Sequence, residues 1–79
     1  MVVQLKYFGM ISEITGLGEE EISLSKPMNV LQMKTHLFNK YERLIEVNFQ
    51  IGINEVIEKD NCDISDKDVI ALLPPFSGG

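Results

Sequence analysis

An apolar run near the C-terminus limits the possible folds more than any other stretch of the chain. Residues 69–73, Val-Ile-Ala-Leu-Leu, are apolar at every position, which is typical of a central strand that is covered on both faces. Pro74 and Pro75 follow directly, and two successive prolines can neither continue a helix nor donate to a central ladder. The sequence therefore predicts that a central strand ends at residue 73 and that the chain leaves the sheet in an extended conformation.

The residues after this strand form a tail with the sequence Pro-Pro-Phe-Ser-Gly-Gly. Gly78 and Gly79 have no side chains that could crowd the chain end, so the tail is a stiffened arm with a carboxylate at its tip. Such an arm could enter a narrow channel, and the carboxylate would be its one chemically special group. Chain termini are also commonly frayed, and the residues alone leave both interpretations open.

Length and charge exclude several classes of protein. The 79 residues suffice for one small domain, and the formal net charge of −5 argues against a nucleic-acid binder, which needs a basic footprint. An acidic balance instead favours solubility or a partner with a basic surface. Cys62 is the only cysteine, which excludes an intrachain disulfide and a thiolate metal cage. No apolar run is long enough for a membrane helix and no signal peptide is evident, so we expect a cytoplasmic protein without membrane contact.

The hydrophobic pattern predicts two strands and a short helix in the first third of the chain. Residues 2–8 alternate as a strand with the odd-numbered side chains on its buried face. Residues 10–15 predict a helical turn, and residues 19–24 predict a second strand. We interpret the three glutamates at 19–21 as the solvated start of that strand, which protects a sheet edge.

A longer helix and further strands follow. Asn29 is a credible N-cap, and apolar residues recur at helical spacing from Val30 to Tyr41, with Leu31 and Phe38 widening the stripe. The remaining predicted elements are a strand over 47–53, in which Gly52 indicates a bulge or a close backbone approach, a turn at 54–55, a short strand at 56–57, and a polar loop over 60–68 with one 3₁₀ turn around Ile64.

This order of elements predicts an α+β fold, a ubiquitin-like β-grasp in which a mixed four- to five-stranded sheet packs on one main helix. The first and last strands are expected to lie side by side in the centre, as a parallel pair joined through the helix layer. Residues 1–73 would form this domain, and residues 74–79 would extend from it as a reactive tail.

No side-chain constellation in the sequence predicts an enzyme active site. His36 lies on the polar side of the main helix without a cysteine or serine partner nearby, so we interpret it as a surface residue. The four aspartates between residues 60 and 68 fail the spacing of a calcium-binding loop, and we expect them to make turn contacts. No metal-ligand spacing and no phosphate loop is present. The carboxylate at the end of the tail is therefore the one candidate reactive group.

Four stretches carry a resemblance to a known family. Residues 5–16 combine a strand, a short helix and a glycine, and Asn29-Val30 opens the stripe of the main helix. Ile53-Asn54 is a hydrophobic-Asn turn, and residues 66–79 place the double proline shortly before the terminal glycine pair. Together these stretches resemble, over nearly the whole chain, the small subunit of molybdopterin synthase, the MoaD group of ubiquitin-like sulfur carriers.

The resemblance implies a protein that carries sulfur as a C-terminal thiocarboxylate on Gly79 and is not an enzyme on its own. In the family, an E1-like adenylyltransferase consumes ATP to activate the terminal carboxylate, so AMP would be attached to Gly79 only transiently and no cofactor would be bound stably. The thiocarboxylate then enters the active site of the large subunit, where precursor Z receives two sulfurs. Family complexes are heterotetramers with two small and two large subunits.

The resemblance also implies roles for the tail residues. Gly78 and Gly79 would pass where a Cβ atom would collide with the partner. Pro74 and Pro75 would lower the entropy that is lost when the tail enters the partner, a preorganisation effect. Phe76 is the only large side chain on the tail and would anchor it in a partner groove.

An outward-facing patch would complete the contact surface. By analogy with ubiquitin, Ile70 and Leu72 would point into the core, whereas Ala71 and Leu73 would face outward and contact both partners. The expected partner-binding residues are Ala71, Leu73, Pro74, Pro75, Phe76 and Ser77.

Three alternatives stay open. A thiamine-pathway sulfur carrier would share the fold and the Gly-Gly end, although residues 8–16 and the double proline favour the molybdopterin group. A ubiquitin-like modifier would be conjugated to lysines through Gly79. A plain β-grasp interaction domain would not need Gly79 at all.

Overall fold

The apolar run at residues 69–73 forms the central strand of a five-stranded sheet in the computed structural model, which describes residues 1–75. The strands lie side by side in the order β2-β1-β5-β3-β4. Within the described range the elements are β1 (Val2–Tyr7), α1 (Met10–Thr15), β2 (Glu19–Ser23), α2 (Val30–Lys40), a 3₁₀ helix (Glu42–Glu46), β3 (Gln50–Ile53), β4 (Val56–Glu58) and β5 (Val69–Leu73).

β5 lies between β1 and β3, parallel to the first and antiparallel to the second. Leu72 is opposite Tyr7 in the parallel ladder and opposite Ile51 in the antiparallel one. A parallel pair needs a long connection, and here that connection includes α2. The α+β prediction is therefore confirmed: the chain is a ubiquitin-like β-grasp whose first and last strands are adjacent and parallel.

The core lies between α2 and one face of the sheet. Asn29 caps α2 as predicted, since its Oδ1 accepts from Gln32 N at 2.9 Å while Gln32 Oε1 accepts from Asn29 N at 2.8 Å. The prediction that Leu31 widens the apolar stripe is wrong. Leu31 is 52% exposed, because each helical residue is rotated by about 100° from the preceding one. Large side chains that are almost fully buried are Leu5, Ile11, Met33, Leu37, Leu44, Ile51, Ile70 and Leu72.

Two predictions about the second half of the chain are wrong. The third strand begins at Gln50 rather than at residue 47, because residues 42–46 form a 3₁₀ helix that buries Leu44. The loop over 60–68 has no 3₁₀ turn around Ile64; Asp63 instead forms an isolated bridge with Asn29, and Ile64 is buried. Short polar segments carry too little periodicity to reveal either feature.

Gly52 does not form a bulge. It is paired in regular register with Ile57 on one side and with Ala71 on the other. A Cβ atom built on Gly52 would lie 3.7 Å from Leu73 Cδ1, which is ordinary contact distance. The other part of the prediction, a close backbone approach, is wrong as well, because the backbone oxygen of Val56 lies 3.8 Å from that Cβ position, which is also an ordinary contact distance.

The prediction that the glutamates of β2 form a solvated strand start is wrong for Glu20. β2 is indeed an edge strand, but the Glu20 carboxylate faces inward. Its Oε2 accepts hydrogen bonds from the hydroxyls of Tyr7 at 2.6 Å and Tyr41 at 2.8 Å, and its Oε1 accepts from Lys40 Nζ. Burial alone would raise the pKa of Glu20, but the hydrogen bonds from Lys40, Tyr7 and Tyr41 together lower it. The carboxylate therefore ties the edge strand to the end of α2.

We expect Glu20→Gln to destabilise the domain at neutral pH, because the amide lacks the charge that three donors share. The expected loss is about 1–3 kcal/mol, typical of a hydrogen bond to a charged group, and lowers the melting temperature by about 4–8 °C per kcal/mol in a domain of this size. Glu21→Gln is the matched control, because Glu21 is exposed on the same strand.

The pH dependence of this loss follows from the lowered pKa of Glu20. A carboxyl group whose pKa is lower in the folded state contributes its stability above the unfolded-state pKa, and loses it as the pH falls through the folded-state pKa. The difference in melting temperature between wild type and Glu20→Gln should be full at pH 7 and should shrink in acid. A difference that stayed constant down to the acid limit would contradict the ionic role of Glu20.

Candidate functional site

The outer face of the sheet, opposite α2, carries the outward side chains of β5. Val69, Ala71 and Leu73 are half-buried, whereas Ile70 and Leu72 between them have no exposed area. The structure thus places Ala71 and Leu73 on the outer face, as the analogy with ubiquitin suggested. Their role in binding a partner stays a prediction.

The centre of this face is a depression of about 450 Å³. Ala71 stands opposite Lys6 on β1 and opposite Gly52 on β3. Ala71 contributes only a methyl group to the depression, whereas Lys6, Phe8 and Val69 contribute larger side chains. The depression is lined by Lys6, Phe8, Asn54, Glu55, Val69 and Ala71.

The turn between β3 and β4 forms one rim of the depression. Asn54 and Glu55 both have positive φ, +49° and +73°, as the two central residues of a tight hairpin turn require. Asn54 Oδ1 accepts from Val69 N at 3.0 Å, and Asn54 N donates to Val69 O at 2.8 Å. Asn54 Nδ2 also donates to Asp68 Oδ1 at 2.9 Å. These bonds fasten the turn to the start of β5 and hold Glu55 in place.

The sequence predicts the turn but not its attachment to β5. Asparagine is favoured at positive φ, which is a signal for the turn itself. The side-chain bonds of Asn54 to Asp68 and Val69 join residues that are 14 and 15 positions apart. No local sequence pattern predicts such contacts.

The tail starts beside the junction of β1 and α1. Gly9 has φ +53°, and a Cβ atom built on it would lie 3.6 Å from Pro74 Cγ. Pro74 is half-buried and Pro75 is exposed. The predictions for Phe76, Ser77, Gly78 and Gly79 concern residues outside the described range.

The other candidate groups within residues 1–75 are His36, possible metal ligands and the thiol of Cys62. His36 is exposed on α2, as predicted, and no group of three metal-ligating side chains occurs in this part of the chain. Burial and the nearby carboxylates of Glu58, Asp63 and Asp68 raise the pKa of the Cys62 thiol, which disfavours the nucleophilic thiolate. None of the helices in this range is long and apolar enough to cross a bilayer.

Asp68 makes a turn contact of the kind that the sequence predicts, with Ser65, whereas Asp66 bonds to Val2, which is 64 positions away in the chain. Asp66 Oδ1 accepts from Val2 N at 2.7 Å, and Asp68 Oδ2 accepts from Ser65 N at 2.7 Å. Asp60 pairs with Lys34 at 2.9 Å beside a larger cleft of about 660 Å³ near β4. No residue of β5 lines that cleft, whereas Val69 and Ala71 of β5 line the depression on the outer face, so we place the candidate site there, around Ala71.

The chain resembles known proteins over nearly its whole length. The ThiS family model matches residues 5–79, and the chain therefore belongs to the ThiS family. The molybdopterin synthase sulfur carrier subunit of Homo sapiens is 30% identical, in an alignment that covers 98% of this chain and 93% of the relative. This match confirms the resemblance seen in the sequence.

Two solved structures extend the comparison. The complex of subunits 1 and 2 of molybdopterin-converting factor from Helicobacter pylori 26695 contains a chain with 31% identity and a TM-score of 0.68, aligned over 100% of both chains. Small archaeal modifier protein 1 from Methanosarcina acetivorans is 28% identical with a TM-score of 0.81, and the alignment covers 99% of this chain and 96% of that one.

We expect Gly9→Ala to destabilise the domain and to alter the start of the tail. Gly9 has φ +53° and ψ −131°, a sparsely populated region in which a residue with a Cβ atom costs about 1–3 kcal/mol, and the new methyl group would touch the Pro74 ring. Gly16→Ala is the matched control, because Gly16 has φ +78° and nothing within 4 Å of its Cβ position. Chemical denaturation should show a loss for both variants, whereas only Gly9→Ala should shift the NMR resonances of the Pro74 ring. Equal shifts in both variants would contradict the contact.

Proposed function

We propose that this chain is a sulfur carrier that acts as the small subunit of a molybdopterin synthase, with the sulfur held as a thiocarboxylate on Gly79. The observation that carries the proposal is the alignment with the human sulfur carrier subunit, which spans nearly all of both chains. The family match also extends to residue 79, so it includes the tail. The chain itself would hold no cofactor and would not be an enzyme on its own.

The chemistry of a carboxylate explains why activation is needed. A carboxylate is a poor acyl donor, so an E1-like adenylyltransferase would join the Gly79 carboxylate to the adenylyl group of ATP and release pyrophosphate. A sulfur nucleophile would then attack the acyl carbon, and AMP would leave. The resulting thiocarboxylate is a nucleophile at neutral pH and needs no activating side chain on this domain. It would deliver its sulfur to precursor Z in the active site of the large subunit.

The domain supports this chemistry by positioning the tail. β5 ends at Leu73, and Pro74 lies beside Gly9, so the sheet determines where the tail begins. The prolines would reduce the entropy lost on docking. Phe76 would anchor the tail, and Gly78 and Gly79 would pass the narrowest part of the partner.

The outer face of the sheet would be the docking surface for both partners. Ala71 and Leu73 lie on it, next to the start of the tail, and Phe8 beside them is 45% exposed. The Helicobacter pylori structure is a complex of subunits 1 and 2, which supports a large subunit as the partner here. We propose a cytoplasmic heterotetramer with two small and two large subunits.

The proposal predicts that Gly79→Ala folds normally but forms little thiocarboxylate. The wild-type chain should be co-expressed with the activating enzyme and purified, and its intact mass should show the gain expected when one oxygen is replaced by sulfur. Gly79→Ala should lose most of this species because a Cβ atom at the tip obstructs the partner site. Its melting temperature should be unchanged, since the core lies within residues 1–73.

Gly18→Ala is the matched control for this experiment. It is also a glycine-to-alanine change, but it lies outside the tail, has nothing within 4 Å of its Cβ position and does not have positive φ. It should carry sulfur like the wild type. Full sulfur transfer to precursor Z by Gly79→Ala, or by a chain that lacks Gly79, would sink the proposed mechanism.

A second candidate function is protein modification through Gly79. The similarity to small archaeal modifier protein 1, at 28% identity and a TM-score of 0.81, favours it. Mass spectrometry separates the two functions, because a modifier appears as lysine adducts whereas a carrier appears as the free thiocarboxylate. A thiamine-pathway carrier would share the tail chemistry, and conversion of precursor Z by the co-purified complex distinguishes it from the proposed function.

A further inference from the structure

The depression on the outer face has an apolar floor and two opposite charges at its edges. Ala71, Val69 and Phe8 supply apolar surface, while Lys6 and Glu55 line the same depression. The order of strands places Lys6, on β1, on one side of β5 and the β3–β4 turn with Glu55 on the other. Both charged residues are exposed, and within residues 1–75 neither forms a salt bridge.

The backbone position of each charged residue is set by the fold. Lys6 is held in register opposite Ala71 by the parallel ladder. Glu55 is held by the turn that Asn54 fastens to Val69 and Asp68. The two residues therefore stand on opposite sides of the depression, with the positively charged Lys6 on the β1 side and the negatively charged Glu55 on the turn side.

A partner that covered this depression would take both charges out of water. An unpaired charge at a covered interface is strongly unfavourable, whereas a complementary charge restores much of the lost solvation. The net charge of −5 favours a basic partner overall, but a uniformly basic surface would place a positive group against Lys6. Like charges in contact are a common means of rejecting the wrong partner.

We propose that the partner inserts an apolar side chain over Ala71, flanked by a carboxylate that faces Lys6 and a basic group that faces Glu55. This inference rests on the proposed function, because it describes the large subunit that docks on the outer face. The order of the two charges across the depression fixes the orientation in which that subunit binds. It also disfavours proteins that carry the complementary charges in the opposite order.

The experiment measures binding of the full-length chain to the purified large subunit by isothermal titration calorimetry. Lys6→Glu and Glu55→Lys should each weaken binding by about tenfold or more, as expected for like charges brought together at an interface. The double variant Lys6→Glu/Glu55→Lys retains the wild-type net charge but inverts the polarity of the depression. It should bind no more tightly than the weaker single variant.

Two further variants serve as controls. Lys26→Glu makes the same charge change at an exposed position in the connection between β2 and α2, outside the depression, and should bind within about twofold of wild type. Lys6→Met keeps an apolar stem without the charge and should lose affinity, because the partner's carboxylate would then lack its counterpart. Thermal melts check that every variant is folded.

The outcomes separate this inference from the proposed function. It is overturned if the double variant recovers wild-type affinity, which would show that only net charge matters. It is equally overturned if Lys6→Glu binds like Lys26→Glu, or if Lys6→Met binds as tightly as wild type. If the wild-type chain forms thiocarboxylate and binds the large subunit without these charge effects, this inference alone fails. If the wild-type chain does not bind the large subunit, the proposed function fails and this inference fails with it.

Discussion

The structure depends on the burial of β5 between β1 and β3. Ile70 and Leu72 project into the core with no exposed area, and both neighbouring ladders are built on this strand. Because side chains alternate along a strand, the same packing that buries these two residues turns Ala71 and Leu73 outward. One strand thus holds the core together and presents the candidate docking face.

The position of the candidate site follows from the same strand. Val69 and Ala71 of β5 line the depression, and Asn54 ties the neighbouring turn to the start of β5. At the other end of β5, Pro74 Cγ lies 3.6 Å from the position that a Cβ atom on Gly9 would occupy. The candidate docking face and the residue that precedes the tail, Leu73, are therefore parts of the same strand.

Glu20 shows how an edge strand can be secured by a charge. The residue lies in a run of three glutamates, and the sequence pattern predicts that all three are solvated. The fold instead places Glu20 opposite Leu5 on the inner face, within reach of Tyr7, Tyr41 and Lys40. Its partners on α2 and just beyond it lie about twenty residues away, so local sequence cannot distinguish Glu20 from its neighbours Glu19 and Glu21.

Local chemistry was sufficient to predict the strands β1, β2, β4 and β5, both α-helices, the Asn29 cap, the Asn54–Glu55 turn and the β-grasp class, because periodicity and turn residues act over a few positions. It was also sufficient to single out the tail, since Pro74 and Pro75 end any central strand. The start of β3 and the 3₁₀ helix lie in segments too short to show periodicity, whereas the inward Glu20 and the charged edges of the depression depend on contacts between residues far apart in the chain. Such contacts form only when β5 is buried, because the pairing of the strands then determines which side chains are neighbours.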